Sequence, residues 1–333
     1  MNKFAICCLK GLRHYYLKMF QTHKGDIISV MGSKEGNNLL VKMLSQREPF
    51  MIARYGATEL TCILNYLAIQ KQDKNIIKYI KGETKDWWWN SGIKHHMEWS
   101  SGFFPPTEDN LSKFSELMLK DSQFLDVLAV FSNIPSYKES IPCLHSYMKE
   151  DITYIPLISF DSFLFDNPWT KYLEQKRVLI VHPYAKLIER QYLKRRDLFQ
   201  NKDVLPDFEL RTVEAVQSLG GVNHGFSDWF EALEWMKNEM DKEPYDVSLI
   251  GSGAYGFPLA AHSKRTGHQS IHIGGPLQLL FGIKGSRWEK TIYAKSFSLP
   301  EDTYLKLMDN PNWVRPSEYR SSELEQMEHS AYL

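Results

Sequence analysis

Apolar and polar positions change rhythm several times along this chain. From Lys3 to Phe20, the residues Phe4, Cys8, Leu12, Tyr15, Tyr16 and Met19 recur at helical spacing, while Lys3, Lys10, Arg13 and Lys18 add positive charge. That pattern reads as a basic amphipathic helix, either lying on an anionic membrane face or packed as an ordinary first helix. Beyond Gly32, helix and strand patterns alternate. Residues 35–47 put Leu39, Leu40, Met43 and Leu44 on one helix face, Phe50–Tyr55 is a short apolar run ending at Gly56, and 58–69 return to helical period. The stretch Asp86–Pro106, with Trp87, Trp88 and Trp89, reads as irregular and aromatic, and Thr107 can cap a helix running to about Lys120. Further strands are predicted over 126–131, 152–157, 177–182, 208–213, 245–250 and 269–273, with helices over 184–199, 226–241 and 257–266. Strands alternating with helices predict an α/β fold, a Rossmann-like, doubly wound and mostly parallel sheet. No repeat, low-complexity tract or linker interrupts it, so 31–333 reads as a single domain behind a basic amphipathic segment over 1–30.

Composition narrows the class. The chain has 333 residues, with 40 Lys and Arg against 40 Asp and Glu, so no global field points to nucleic acid. No run of about eighteen apolar residues occurs that would span a bilayer. The cysteines Cys7, Cys8, Cys62 and Cys143 form no C-x-x-C pair, which fits reduced thiols. A cytoplasmic protein, peripheral on the inner membrane face through its N-terminus, is the expectation. Nine Trp, seventeen Tyr and eighteen Phe could line a sugar or base site, though such rings fill cores more often.

The most informative stretch is YDVSLIGSGAYGFPLAAHSKRTGHQSIHIGG. An apolar strand over 245–250 leads into Gly251-Ser252-Gly253-Ala254-Tyr255-Gly256, a literal G-x-G-x-x-G, followed by a helix with Pro258 in its first turn. Glycines let backbone approach a phosphate, and the free N–H groups of the helix start face the anion. An NAD enzyme would also carry an acid at the end of the next strand, but that strand ends Ile273-Gly274-Gly275-Pro276. A phosphate or diphosphate is therefore the better guess, against a tight turn packed close for purely structural reasons. The Gly274-Gly275 corner falls at the same sheet edge, with Lys284 and Arg287 beyond it as phosphate donors and Trp288 as a stacking surface.

Other polar groups fall at strand ends. Arg54 and Glu59 flank Gly56: Arg54 could clamp a phosphate, and Glu59 could hold a divalent cation or act as a base, or the two could simply pair. His182 ends a strand before Pro183, and His224 lies in the turn-like GGVNHG. There is no D-x-D; a D-x-E, Asp207-Phe208-Glu209, would put both carboxylates on one face of a strand. No H-E-x-x-H, G-x-S-x-G or Walker A sequence occurs, which removes common protease, hydrolase and NTPase readings.

These residues carry a resemblance. GSGAYGFPLAAHSKRTGHQSIHIGGPLQLLFGIKGSRW resembles the C-terminal signature of bacterial glycosyltransferases of the GT-D fold, and the R-x-G-x-x-E of Arg54–Glu59 their N-terminal one. NSGIKHHMEWSSGFFPPTEDN, the segment His182–Arg196, LPDFELRTVEAVQS and NWVRPSEYR are similar to further blocks, so the likeness covers roughly residues 35–320. It implies a glycosyltransferase moving a sugar from a nucleotide-diphosphate donor, with a UDP-sugar favoured, to a growing cell-surface polysaccharide or other glycan acceptor, lipid-linked in one version. It also implies a divalent cation, Mn²⁺ or Mg²⁺. The family's D-x-E reads Ala57-Thr58-Glu59 here, so the first carboxylate is missing. The site residues expected on this reading are Arg54 and Glu59 for catalysis, Glu59 for metal, and Gly56, Gly251, Ser252, Gly253, Tyr255, Gly256, Gly274, Gly275, Lys284, Arg287 and Trp288 for the donor. The rival readings are a non-catalytic nucleotide or sugar-phosphate binding subunit of a polysaccharide assembly complex and, more remotely, an NAD-dependent oxidoreductase.

Overall fold

Short apolar runs become strands here because both of their faces are covered. In the computed structural model, which describes residues 2–20, 28–218 and 225–316, seven strands form one parallel sheet. They are β1 (Met51–Ala53), β2 (Val127–Val130), β3 (Thr153–Pro156), β4 (Arg177–His182), β5 (Glu209–Glu214), β6 (Val247–Ile250) and β7 (Gln269–His272). Their spatial order is β3-β2-β1-β7-β6-β4-β5. Ile52 of β1 sits beside Val127 on one side and Ile271 on the other, and Val178 of β4 beside Leu210 and Val247.

The helices are α1 (Lys3–Phe20), α2 (Ser33–Ser45), α3 (Ala57–Lys71), α4 (Ile76–Ile80), α5 (Ser91–Trp99), α6 (Glu108–Asp121), α7 (Pro135–Ser140), α8 (Ala185–Tyr192), α9 (Arg195–Leu198), α10 (Trp229–Asp241) and α11 (Gly256–Arg265), with shorter turns after them. Alternation along the strands divides the core. Met51, Ala53, Leu179 and Val181 pack with α3, α6, α10 and α11, whereas Ile52, Val178 and Ile180 pack with α2, α8 and residues 277–313. This is the doubly wound arrangement that the alternating pattern predicts. The Thr107 cap is also present: its Oγ1 accepts from Asn110 N at 3.2 Å.

Two predicted elements differ. The helix predicted over 184–199 breaks at Lys194, because Arg195 and Arg196 lean onto the Asp207 carboxylate. The stretch read as irregular contains α5, started by Asn90, whose side chain accepts from Gly92 N; only Met97 of it is buried, so the sequence carries little helical periodicity there. A network of small polar groups, with Ser248 Oγ 2.9 Å from Ser263 Oγ and 2.7 Å from Ser270 Oγ, lets α11 lie close over β6 and β7.

Candidate functional site

The chain runs outward from β1 through β2 to β3, then crosses to the other half of the sheet, so the direction of connection reverses beside β1. Ligands of open α/β sheets bind at such a reversal, at the carboxyl ends of the strands. A cleft of about 310 Å³ lies there, and six strands contribute to its walls. β1 delivers Arg54 and, through Gly56, the first turn of α3 with Ala57, Thr58 and Glu59; β2 delivers Phe131. β4 ends in His182, Pro183 and Tyr184, β5 leads to Val216, Gln217 and Ser218, β6 to Gly251, Ser252 and Gly253, and β7 to Gly275. Ser100–Gly102, Gln278 and Arg287 close the rim.

Close approach explains the glycines. A Cβ at Gly251 would stand 2.7 Å from the His182 ring and 2.9 Å from the Gly274 carbonyl. Gly274 has φ +79°, and its Cβ would sit 2.7 Å from Arg54 Cζ. The bare Gly251 thus makes room for the His182 ring and the bare Gly274 for the Arg54 guanidinium, which also lies 5.6 Å from the centre of the Phe131 ring. Its Nε is buried with no hydrogen-bond partner among the described residues, and so is Ser252 Oγ. Unpaired buried donors are costly unless a ligand completes them.

Two histidines stand at strand ends, both neutral. Burial lowers the His182 pKa to about 3. Its Nδ1 accepts from Tyr184 N at 3.0 Å, so the remaining proton must reside on Nε2, which is left as a neutral donor. His272, buried beneath Gly256, is held well below its ordinary value by burial and by the Arg54 charge beside it. Glu59 is 7% exposed, and its carboxylate folds back over Gly56, the N-cap of α3, as Glu35 folds over Gly32 at the start of α2. This is the acidic half of a capping box, with glycine in place of Ser or Thr at the N-cap, and it holds a carboxylate at the positive end of the helix.

No family model matches this chain, and no curated protein matches it. Two solved structures of a domain of unknown function, DUF1792, are similar to it. One, a selenomethionine-substituted structure, shares 12% identity at a TM-score of 0.40 over 80% of this chain and 82% of that one. The other, described as having a distinct glycosyltransferase fold, shares 13% identity at a TM-score of 0.36 over 81% of each chain. At such TM-scores the likenesses carry no functional weight, and the geometry of the cleft must speak for itself.

Of the residues picked out in the sequence, the cleft gathers Arg54, Gly56, Glu59, Gly251, Ser252, Gly253, Tyr255, Gly275 and Arg287. Gly256 and Gly274 stand just behind it, against His272 and Arg54. Trp288 does not stack on anything in the cleft: it is 1% exposed and packed against Gly285, because the 282–285 loop is pinned inward by Gln278 and by the pairing of Ile283 with Val314. Lys284 is carried away with that loop and does not line the cleft. Tyr255 reaches it only from below. Its ring lies flat on Trp229 at 4.8 Å, and its hydroxyl meets Ser218, which donates to the Gly102 carbonyl at 2.5 Å. Asp207-x-Glu209 opens β5 at the opposite edge of the sheet, and Asp207 is held below the usual carboxylate range by Arg195 and Arg196. His224 lies outside the described residues.

Sequence reasoning missed Phe131, Ser100–Gly102 and Val216–Ser218 as residues that line the cleft. Phe131 and Val216–Ser218 follow strand ends with no glycine or charge to mark them, and Gly102 lies after a helix rather than in a strand–glycine–helix turn; position near the carboxyl edge was the sole signal. For a divalent cation the described wall offers little negative charge beyond Glu59. Glu59 is the one carboxylate in a wall that holds two guanidiniums, and among the described residues no three His, Cys, Asp or Glu come together as a metal site. Mn²⁺ or Mg²⁺ held here would have Glu59 as its one charged protein ligand and would complete its oxygen shell from water and substrate phosphates.

Proposed function

We propose that the cleft binds a nucleotide-diphosphate sugar, with UDP-sugars favoured, and that the protein transfers the sugar to a glycan acceptor of the cell surface. The observation that carries this reading is the convergence of Arg54 and Arg287 with the Gly251–Gly253 turn at the reversal beside β1. Breaking the bond between the anomeric carbon and the diphosphate builds negative charge on the leaving phosphate oxygens. Fixed cations and aimed N–H groups stabilise charge of that kind. Arg54 and Arg287 would take the place a cation has in metal-dependent transferases, and Ser252 Oγ and His182 Nε2 would add neutral donors. Glu59 would accept the proton of the attacking acceptor hydroxyl. Its capping geometry favours a second reading, a subunit that binds nucleotide sugars and transfers nothing, since a carboxylate employed as a cap needs no catalytic role.

Thermal shift against UDP, GDP and CMP sugars, combined with release of free nucleotide in the presence of an acceptor glycan, tests both. A ligand bound only by the native state raises Tm. Stabilisation by one nucleotide sugar with turnover supports the transferase, stabilisation without turnover supports the binding subunit, and no stabilisation by any defeats both. Glu59→Gln keeps a capping side chain but removes the base, so Tm should stay near that of the parent while turnover falls about 100-fold or more. Unchanged turnover in that variant would remove Glu59 from the mechanism.

A further inference from the structure

The helix α1 is packed on the protein by one face only. Leu9 is buried, Ile6, Tyr16 and Leu17 are half-buried, and Arg13 donates to the Tyr79 and Thr84 carbonyls at 2.6 Å. The opposite face carries Phe4, Cys8, Leu12, Tyr15 and Met19, spaced at four, four, three and four residues, so they form one stripe. That stripe is in solvent: Phe4 is 75% exposed, Tyr15 65% and Met19 60%. α4, which packs against α1, adds Ile76 and Ile77, also exposed. These two helices carry seven of the thirteen most exposed large apolar side chains among the described residues. Such concentration marks an interaction surface rather than scattered exposure.

Charge selects the occupant. The whole chain is neutral by count, yet α1 has no acidic residue beside Lys3, Lys10, Arg13 and Lys18. From Lys71 to Asp86 there are five lysines against Asp73, Glu83 and Asp86, with Lys78 3.5 Å from Asp73 and Lys10 3.9 Å from Asp86, which leaves a net positive face. Lys18 is exposed alongside the stripe. Apolar side chains bordered by cations suit a surface with an apolar interior and an anionic rim. We infer that the α1–α4 face seats the protein on the surface of a bilayer that contains anionic lipid, with Phe4, Leu12, Tyr15 and Met19 entering the headgroup layer and the lysines meeting the phosphates. Among the described residues no helix is long and apolar enough to cross a membrane; a single amphipathic helix of this kind gives a peripheral, reversible contact. The inference stands apart from the transferase reading, because it needs no nucleotide.

Flotation of the full chain with vesicles of phosphatidylcholine, alone or mixed with phosphatidylglycerol, tests it. Binding should require phosphatidylglycerol and weaken as salt is raised. Substituting serine for Phe4, Leu12 and Met19 together should lower the bound fraction about tenfold or more, with circular dichroism and Tm unchanged because the three side chains touch solvent. Lys18→Glu should weaken binding while leaving the apolar stripe intact. Absence of binding to either vesicle overturns the inference, as does equal binding to both or binding that the serine variant retains. A dimer seen by light scattering that the serine variant abolishes would assign the face to a second copy and overturn it equally.

Discussion

Asp161 shows how much a single buried group can dictate. It accepts from the Tyr304 hydroxyl at 2.6 Å, and burial pushes its carboxyl pKa up to about 7. The native state therefore holds this proton where the unfolded chain has already lost it. Stability from this group is greatest below the unfolded pKa near 3.8, falls as pH rises toward 7, and is level above that. Asp161→Asn keeps an acceptor for Tyr304 and removes the titration, so the decline in Tm between roughly pH 4 and 7 should flatten in the variant. A parallel decline in both proteins would place the titration elsewhere. The sequence offered no sign of this pair. Asp161 and Tyr304 are far apart in the chain, and neither belongs to a motif, so only the folded packing of residues 277–313 on Asp161 reveals it.

At the scale of elements, the strands and the glycine turns were legible because each is a local matter. Period, flanking glycine and a helix start sit within a dozen residues of one another in 245–256. What was illegible is the direction in which loops point. Trp288 and Lys284 follow the same corner as Arg287, yet Gln278 and Val314 pull the loop inward and leave only Arg287 at the rim. The two glycine corners give a sharper test of the element-level argument. Gly274→Ala places a side chain at φ +79° and into the Arg54 guanidinium, so it should cost about 1–3 kcal/mol in urea unfolding. It should also weaken UDP more than uridine, because the displaced cation faces the phosphates. Equal loss for the two ligands would mean that Arg54 is not at the diphosphate.

For the whole molecule, the balance of charge in the cleft decides how the diphosphate is neutralised. With two guanidiniums and one carboxylate on its wall, nucleotide-diphosphate binding should survive EDTA, within about twofold of the affinity measured with Mn²⁺ present. A strict metal requirement in calorimetry would mean that ligand oxygens complete a coordination shell the protein alone lacks. A second cavity of about 360 Å³ lies between Arg13 of α1 and Ala57, and Ala57 also lines the cleft. If α1 rests on a bilayer, an acceptor held at the lipid surface would have this opening beside it.

The position of β1 has a consequence for how the chain is made. It leaves the ribosome early, yet one of its two neighbours, β7, is roughly two hundred residues further on. Until residue 272 emerges, Arg54 has no Gly274 to lie against and the edge of β1 stays open. Pairing of such distant segments is slow to form. A nascent or truncated chain that ends before β7 should thus be the form that chaperones hold, whatever its helix content, and nucleotide can rescue only the chain that has already been finished.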